Sequence, residues 1–134
     1  MELSRAEVDA FLAERHTLII ATLRHDGWPQ MTTVWYRWDG AAFWISTNRD
    51  RAKYRNLRRD ARVTVLVDAP PRETSVAAYG RAEEVARDAA AYDGALAIVS
   101  RYVENPRAYL DARRDDPRVL IRIAPERMVT WKLE

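Results

Sequence analysis

The sequence predicts a closed antiparallel β-barrel with peripheral helices, built as one domain over residues 1–134. Short β-branched or alternating apolar runs follow one another through tight Asp-Gly turns, and helical stretches fall between groups of strands rather than after each one. The length leaves room for a single domain, which at this size hides roughly two thirds of the surface of its unfolded chain. Hydrophobic residues at 48% and charged residues at 31% place the chain in the globular range, away from disorder.

The first segment, 4–14, opens with Ser4-Arg5-Ala6-Glu7, a spacing that lets two side chains cap each other's backbone N–H. Leu3, Val8, Phe11 and Leu12 then recur on one helical face. Residues 17–23 form a β-branched apolar run, and His25-Asp26-Gly27 supplies hairpin chemistry after it. A second strand is expected over 30–38, Asp39-Gly40 turns the chain again, and a third strand covers 43–47. Two such turns in succession predict a three-stranded antiparallel meander. Asn48 or Asp50 is placed to cap the basic helix that follows, and Asp60 to close it. Strands are then expected at 63–67, broken by Pro70-Pro71, and at 74–84 around Gly80. Residues 88–114 are Ala-rich and helical, with Leu96, Val99, Tyr102 and Val103 in register and a break at Asn105-Pro106. Strands at 118–124 and 128–133, separated by a bend at Pro125, complete seven strands and four helices.

Much chemistry is excluded by composition. With no cysteine there is no thiol nucleophile, thiolate zinc site or redox dithiol. The two histidines, His16 and His25, lack metal-ligand spacing, and the serines include no G-x-S-x-G elbow. Neither a P-loop nor a dinucleotide fingerprint occurs among four glycines. No apolar run approaches the 18 or so residues of a membrane span, and the N-terminus lacks the layout of an export signal, so a cytoplasmic protein is expected.

The positive charge is concentrated. Residues 48–62 carry seven basic side chains against two acidic ones, a net +5 in a chain whose total is +2, which leaves −3 elsewhere. That pattern suits a local anion site better than the extended basic face that nucleic acid needs. Seven of the thirteen aromatic residues fall within the 27 positions from Trp28 to Tyr54 and overlap the basic block. Anion binding beside flat apolar surface is what a phosphorylated aromatic cofactor requires, although a packed sheet corner beside a solvated helix has the same composition. Six cations on about three helical turns repel one another, which favours the anion site. It would form where a strand end meets a helix N-terminus, with the hydroxyls of Ser46 and Thr47 and the cations Arg51 and Lys53.

The run S-T-x-R-x-R-A-K-x-R-N-L-R-R-D-x-R-V, preceded by A-T-L-R-x-D-G-x-P-Q-x-T-x-V-W and W-D-G, resembles the pyridoxamine 5′-phosphate oxidase-like flavin-binding split barrels. It is most similar to their actinobacterial branch dependent on a deazaflavin, coenzyme F-420. The likeness extends from Phe11-Leu12-Ala13-Glu14-Arg15 to Ile123-Ala124-Pro125-Glu126-Arg127-Met128-Val129. It implies a six- to seven-stranded split barrel that passes a hydride from reduced deazaflavin to an unsaturated or quinone-like small molecule. The cofactor phosphate would fall to Ser46, Thr47, Arg51 and Lys53, with Asn56 one turn on, and the ring would lie along Gln30, Met31, Thr32, Thr33, Val34 and Trp35. A homodimer with cofactors at the interface is implied, and the aromatic load of the second and third strands points the same way.

Two positions depart from the oxidases proper. Met31 and Ala52 stand where those enzymes carry phosphate-binding arginines, so vitamin B6 oxidation is not expected and FMN loses a cation. The alternatives are an FMN-binding oxidoreductase of the same fold and a non-catalytic protein that binds a cofactor or haem. No catalytic residue is assigned. The proton that completes reduction would come from solvent, Tyr54 or Tyr79, and Trp28, Arg72 and Trp131 are candidates for the substrate pocket or for packing. Twenty arginines against two lysines fit a high-GC genome of the kind that makes deazaflavin.

Overall fold

The computed structural model describes residues 1–14, 16–70 and 73–133. Arg15 of the family-like motif, the predicted break at Pro71 and the pocket candidate Arg72 lie outside the described residues. The chain begins with helix α1 (Arg5–Ala13), whose capping box forms as expected: Glu7 N–H donates to Ser4 Oγ at 3.2 Å and Ser4 N–H to Glu7 Oε1 at 3.1 Å. Val8, Phe11 and Leu12 are its buried face.

Seven strands follow: β1 (Leu18–Leu23), β2 (Pro29–Val34), β3 (Arg37–Trp38), β4 (Phe43–Asn48), β5 (Arg62–Ala69), β6 (Thr74–Arg87) and β7 (Arg118–Lys132). All pairings are antiparallel, in the order β2-β1-β5-β6-β7-β4-β3. β2 and β3 occupy opposite edges, yet only Trp35 and Tyr36 separate them in sequence. Two residues span too little distance to cross an open seven-stranded sheet, so the sheet curls until its edges meet. Alternate residues then point inward: Leu18, Ile20, Phe43, Ile45, Val63, Val65, Val67, Val76, Val119, Ile121 and Ile123 form the core with α1.

The strand count matches the expectation through two compensating differences. The strand expected over 30–38 is divided, because the backbone at Tyr36 bonds to side chains instead of a neighbouring strand. Tyr36 N–H donates to Tyr102 Oη at 3.3 Å and its carbonyl accepts from Arg101, while its own hydroxyl donates to the Leu12 carbonyl at 2.9 Å. The expected meander therefore becomes two hairpins, β1–β2 and β3–β4, at opposite edges of the sheet. Conversely, the strands expected at 118–124 and 128–133 are one. Pro125 lies opposite Gly80 at a bulge, where a missing N–H is tolerated.

Helix α2 (Ala52–Arg59) ends at Asp60 as expected, but neither Asn48 nor Asp50 caps its start. Arg51 is the N-cap residue with no capping side chain, while the Asn48 carbonyl accepts from Arg51 N–H and the Asp50 carbonyl from the Arg55 guanidinium. A 3₁₀ turn (Asp88–Ala91), α3 (Tyr92–Val99) and α4 (Pro106–Asp111) pack outside the barrel, with Asn105 Oδ1 capping α4 through Ala108 N–H. These helices cover Trp35 and Trp44, whereas Tyr36 and Phe43 are wholly buried in the barrel and Trp38 packs against its core. The aromatic load of the second and third predicted strands is thus absorbed within one chain, and the reason for expecting a dimer on that ground falls away. Among the described residues no helix is long and apolar enough to cross a membrane.

Candidate cofactor site

A cleft of about 710 Å³ lies between edge strand β2, the end of β4, the start of α2, and the α3–α4 layer. Eight of the residues expected from the sequence line it: Thr32, Thr33, Val34, Trp35, Ser46, Thr47, Arg51 and Lys53. The hydroxyls and cations converge because β4 runs directly into the β4–α2 loop and the first turn of α2.

The seven basic side chains of residues 48–62 sort into two groups. Arg49 is held by Asp88, Arg55 by the Asp50 carbonyl, Arg58 by Tyr54 Oη, Arg59 by the Leu23 carbonyl and Asn56 Oδ1, and Arg62 by Asp60. Among the described residues Arg51 and Lys53 alone of the seven have side chains with no hydrogen-bond or ion-pair partner, and both line the cleft. They stand at the uncapped N-terminus of α2, where free N–H groups and the helix dipole already favour an anion. Burial, and then the neighbouring Arg51, lowers the pKa of the Lys53 ammonium from its ordinary value, so its charge is held at a cost that a bound anion would relieve.

Ser46 Oγ accepts from Arg118 Nη1 at 2.9 Å and so keeps its own proton to donate. On the opposite side, Thr32 Oγ1 is buried without a hydrogen-bond partner. Such an atom is costly to leave unsatisfied and suits a ligand with a polar edge at that place. Trp35 forms the flat part of the wall, stacked on Tyr102 at 4.9 Å and tilted against Tyr109 at 5.4 Å, with the Arg113 guanidinium 3.6 Å over the Tyr109 ring. Four cations, Arg51, Lys53, Arg113 and Arg118, thus face the cleft against one carboxylate, Asp116. The chemistry of this donor set fits a planar ligand that carries phosphate.

Three expected residues lie elsewhere. Asn56 is buried beneath α2, where its amide donates to Gln30 Oε1 at 2.8 Å and Thr22 Oγ1 at 3.1 Å, so Asn56 and Gln30 tie α2 to β2 and do not line the cleft. Met31 is 65% exposed on the outer face of β2. Of the proposed proton donors, Tyr54 is buried with its hydroxyl on Glu84 Oε1 at 2.7 Å, and Tyr79 is exposed on β6; neither lines the cleft. Trp28 and Trp131 are likewise exposed away from it. Sequence reasoning missed Thr17, Asn48, Ile98, Val99, Tyr109, Arg113, Asp116 and Arg118. The only local signal was the Tyr109/Arg113 spacing of four, while Arg118 arrives through its antiparallel pairing with Asn48.

The seven-stranded antiparallel sheet with flanking helices is a split barrel of the pyridoxamine 5′-phosphate oxidase-like kind. The sequence model of the pyridoxamine 5′-phosphate oxidase family matches residues 4–132, and the chain belongs to that family, whose members include oxidoreductases and bind flavin-type cofactors. Among solved structures, a conserved hypothetical protein of Mycobacterium tuberculosis, Rv2991, is 30% identical with a TM-score of 0.81 over 97% of this chain and 85% of that one. A structure named F420 reductase is 24% identical with a TM-score of 0.67, covering 90% of this chain and 94% of its own. General Stress Protein 26 of Bacillus anthracis, at 18% identity and a TM-score of 0.70 over 96% and 98% of the two chains, shares the fold.

Proposed function

We propose that the protein is a deazaflavin-dependent oxidoreductase, which holds coenzyme F-420 in the cleft and delivers its hydride to an unsaturated or quinone-like organic acceptor. The observation that carries this is the pair Arg51 and Lys53, without a partner among the described residues and set at the open end of α2 beside two hydroxyls and a flat aromatic wall. The bound deazaflavin would supply the two-electron chemistry, which no side chain here provides. Arg51 and Lys53 would bind the phosphate, with Ser46 and Thr47 donating to it. As an edge strand, β2 leaves one row of backbone groups unpaired, and these with Thr32 Oγ1 would orient the polar edge of the ring. With Tyr54 and Tyr79 away from the cleft, solvent is the one proton source left of the three that the sequence suggested.

The preference for deazaflavin over FMN does not rest on Met31, whose side chain is outside the cleft. It is supported by the similarity to F420 reductase and by the further cations Arg113 and Arg118 on the cleft wall, toward which an acidic cofactor tail would be drawn. Side-by-side titration of the cofactor-free protein should show tighter binding of coenzyme F-420 than of FMN. Equal or tighter binding of FMN would favour the FMN-dependent alternative.

A homodimer is part of the same proposal, now on different grounds. The strand register aligns outward-facing rows across five strands: Met31, Ala21, Thr64, Tyr79 and Arg127 in one, and Thr33, Ile19, Leu66, Ala77 and Val129 in the next, with Trp131 beyond them. The large apolar side chains exposed on this face, Met31 at 65% and Trp131 at 45% with Tyr79 and Val129 between them, suit a second copy of the chain. Light scattering should give the mass of two chains at low micromolar concentration, and a stable monomer would refute the pairing.

A further inference from the structure

Arg49 belongs to the basic block but is turned away from the anion site. Its Nη1 donates to Asp88 Oδ1 at 2.9 Å and to the Arg118 carbonyl at 3.1 Å, and its Nη2 reaches Asp88 Oδ2 at 3.4 Å. Its backbone N–H donates to the Pro117 carbonyl at 2.9 Å. One residue therefore ties the β4–α2 loop to two other segments: the end of β6 and the start of β7. Asp88 sits at φ +54°, in the left-handed region where glycine is the usual occupant. What aspartate adds there over glycine is the carboxylate that Arg49 grips. The pair is too exposed, with the two side chains 26% and 55% accessible, to contribute much to global stability. The loop it fixes is the one that presents Arg51 and the first amides of α2 to the cleft.

We propose that Arg49 and Asp88 are positioning residues for the anion site: their ion pair sets the β4–α2 loop so that Arg51, Lys53 and the α2 N-terminus converge on a ligand phosphate. The inference rests on the proposed use of the cleft as a phosphate site. Breaking the pair removes no phosphate-contacting group but requires the ligand to order the loop that carries them, which costs affinity for phosphate and nothing for a ligand that lacks it.

The test compares FMN with riboflavin, which differs by the phosphate alone, on the full-length cofactor-free protein. The variants are Asp88→Asn, Asp88→Gly, Arg49→Met and the Asp88→Asn/Arg49→Met double. Glycine is at ease at this φ, so Asp88→Gly removes the carboxylate without straining the fold. Each single variant should weaken FMN by about five- to tenfold and leave riboflavin unchanged, with the double no worse than either single. A ratio of FMN to riboflavin affinity that stays at the parent value, or rises because a released Arg49 reaches the phosphate, overturns the proposal while the phosphate site stands. A parent protein with no preference for FMN over riboflavin removes both.

Discussion

Replacing Lys53 with alanine should weaken cofactor binding by about ten- to a hundredfold, the loss that accompanies one charged hydrogen bond of about 1.5–3 kcal/mol. The direction follows from three features of the site: an ammonium with no partner among the described residues, a pKa lowered by burial and by Arg51, and an uncapped helix end at the same place. In the empty protein that charge is unfavourable, so the thermal stability of the cofactor-free variant should be unchanged or slightly raised. Arg58→Ala is the control, because Arg58 lies over the Tyr54 ring and bonds to its hydroxyl, outside the cleft. It should change the dissociation constant far less. If Lys53→Ala stays within about twofold of the parent in the same titration, the basic end of the cleft is not the phosphate site.

The largest expected loss of stability belongs to Gly80→Ala. A Cβ at Gly80 would lie 2.5 Å from the Ala124 carbonyl oxygen, a backbone atom fixed by the β6–β7 ladder beside the Pro125 bulge. The ladder cannot move aside locally without giving up hydrogen bonds, so the substitution should cost about 2–3 kcal/mol and lower Tm by roughly 5–10 °C. Gly94→Ala makes a useful contrast. Its Cβ would meet the end of the Leu120 side chain, which can change rotamer, and the cost should be smaller despite the closer approach. Thermal denaturation of both variants decides the point, and a milder effect at Gly80 than at Gly94 would contradict this account of the barrel corner.

What the sequence made legible is what neighbouring residues decide. The capping box of α1, the Asp26-Gly27 hairpin and the break before α4 depend on contacts within a few positions, and each formed as expected. Ser46, Thr47, Arg51 and Lys53 meet at the cleft because a strand end leads straight into a helix. Long-range partners account for the differences. The strand over 30–38 is interrupted by Tyr102 and Arg101, more than 60 residues away, which satisfy the backbone of Tyr36. Asn56 is only three residues beyond Lys53, but Gln30 and Thr22 hold its amide on the inner side of the helix. The wall formed by Tyr109, Arg113 and Arg118 required knowing how the α3–α4 layer and β7 return beside β4.

In the function proposed above, a phosphorylated flavin-type cofactor occupies the cleft between β2, β4 and α2. A crystal structure of the protein with coenzyme F-420 tests it most directly. The phosphate should lie within hydrogen-bond distance of Ser46, Thr47, Arg51 and Lys53, with the ring system along Thr32 to Trp35 and a ligand atom bonded to Thr32 Oγ1. A cofactor found on the outer face of β2-β1-β5-β6-β7, or one that leaves Arg51 and Lys53 without contact, would contradict it.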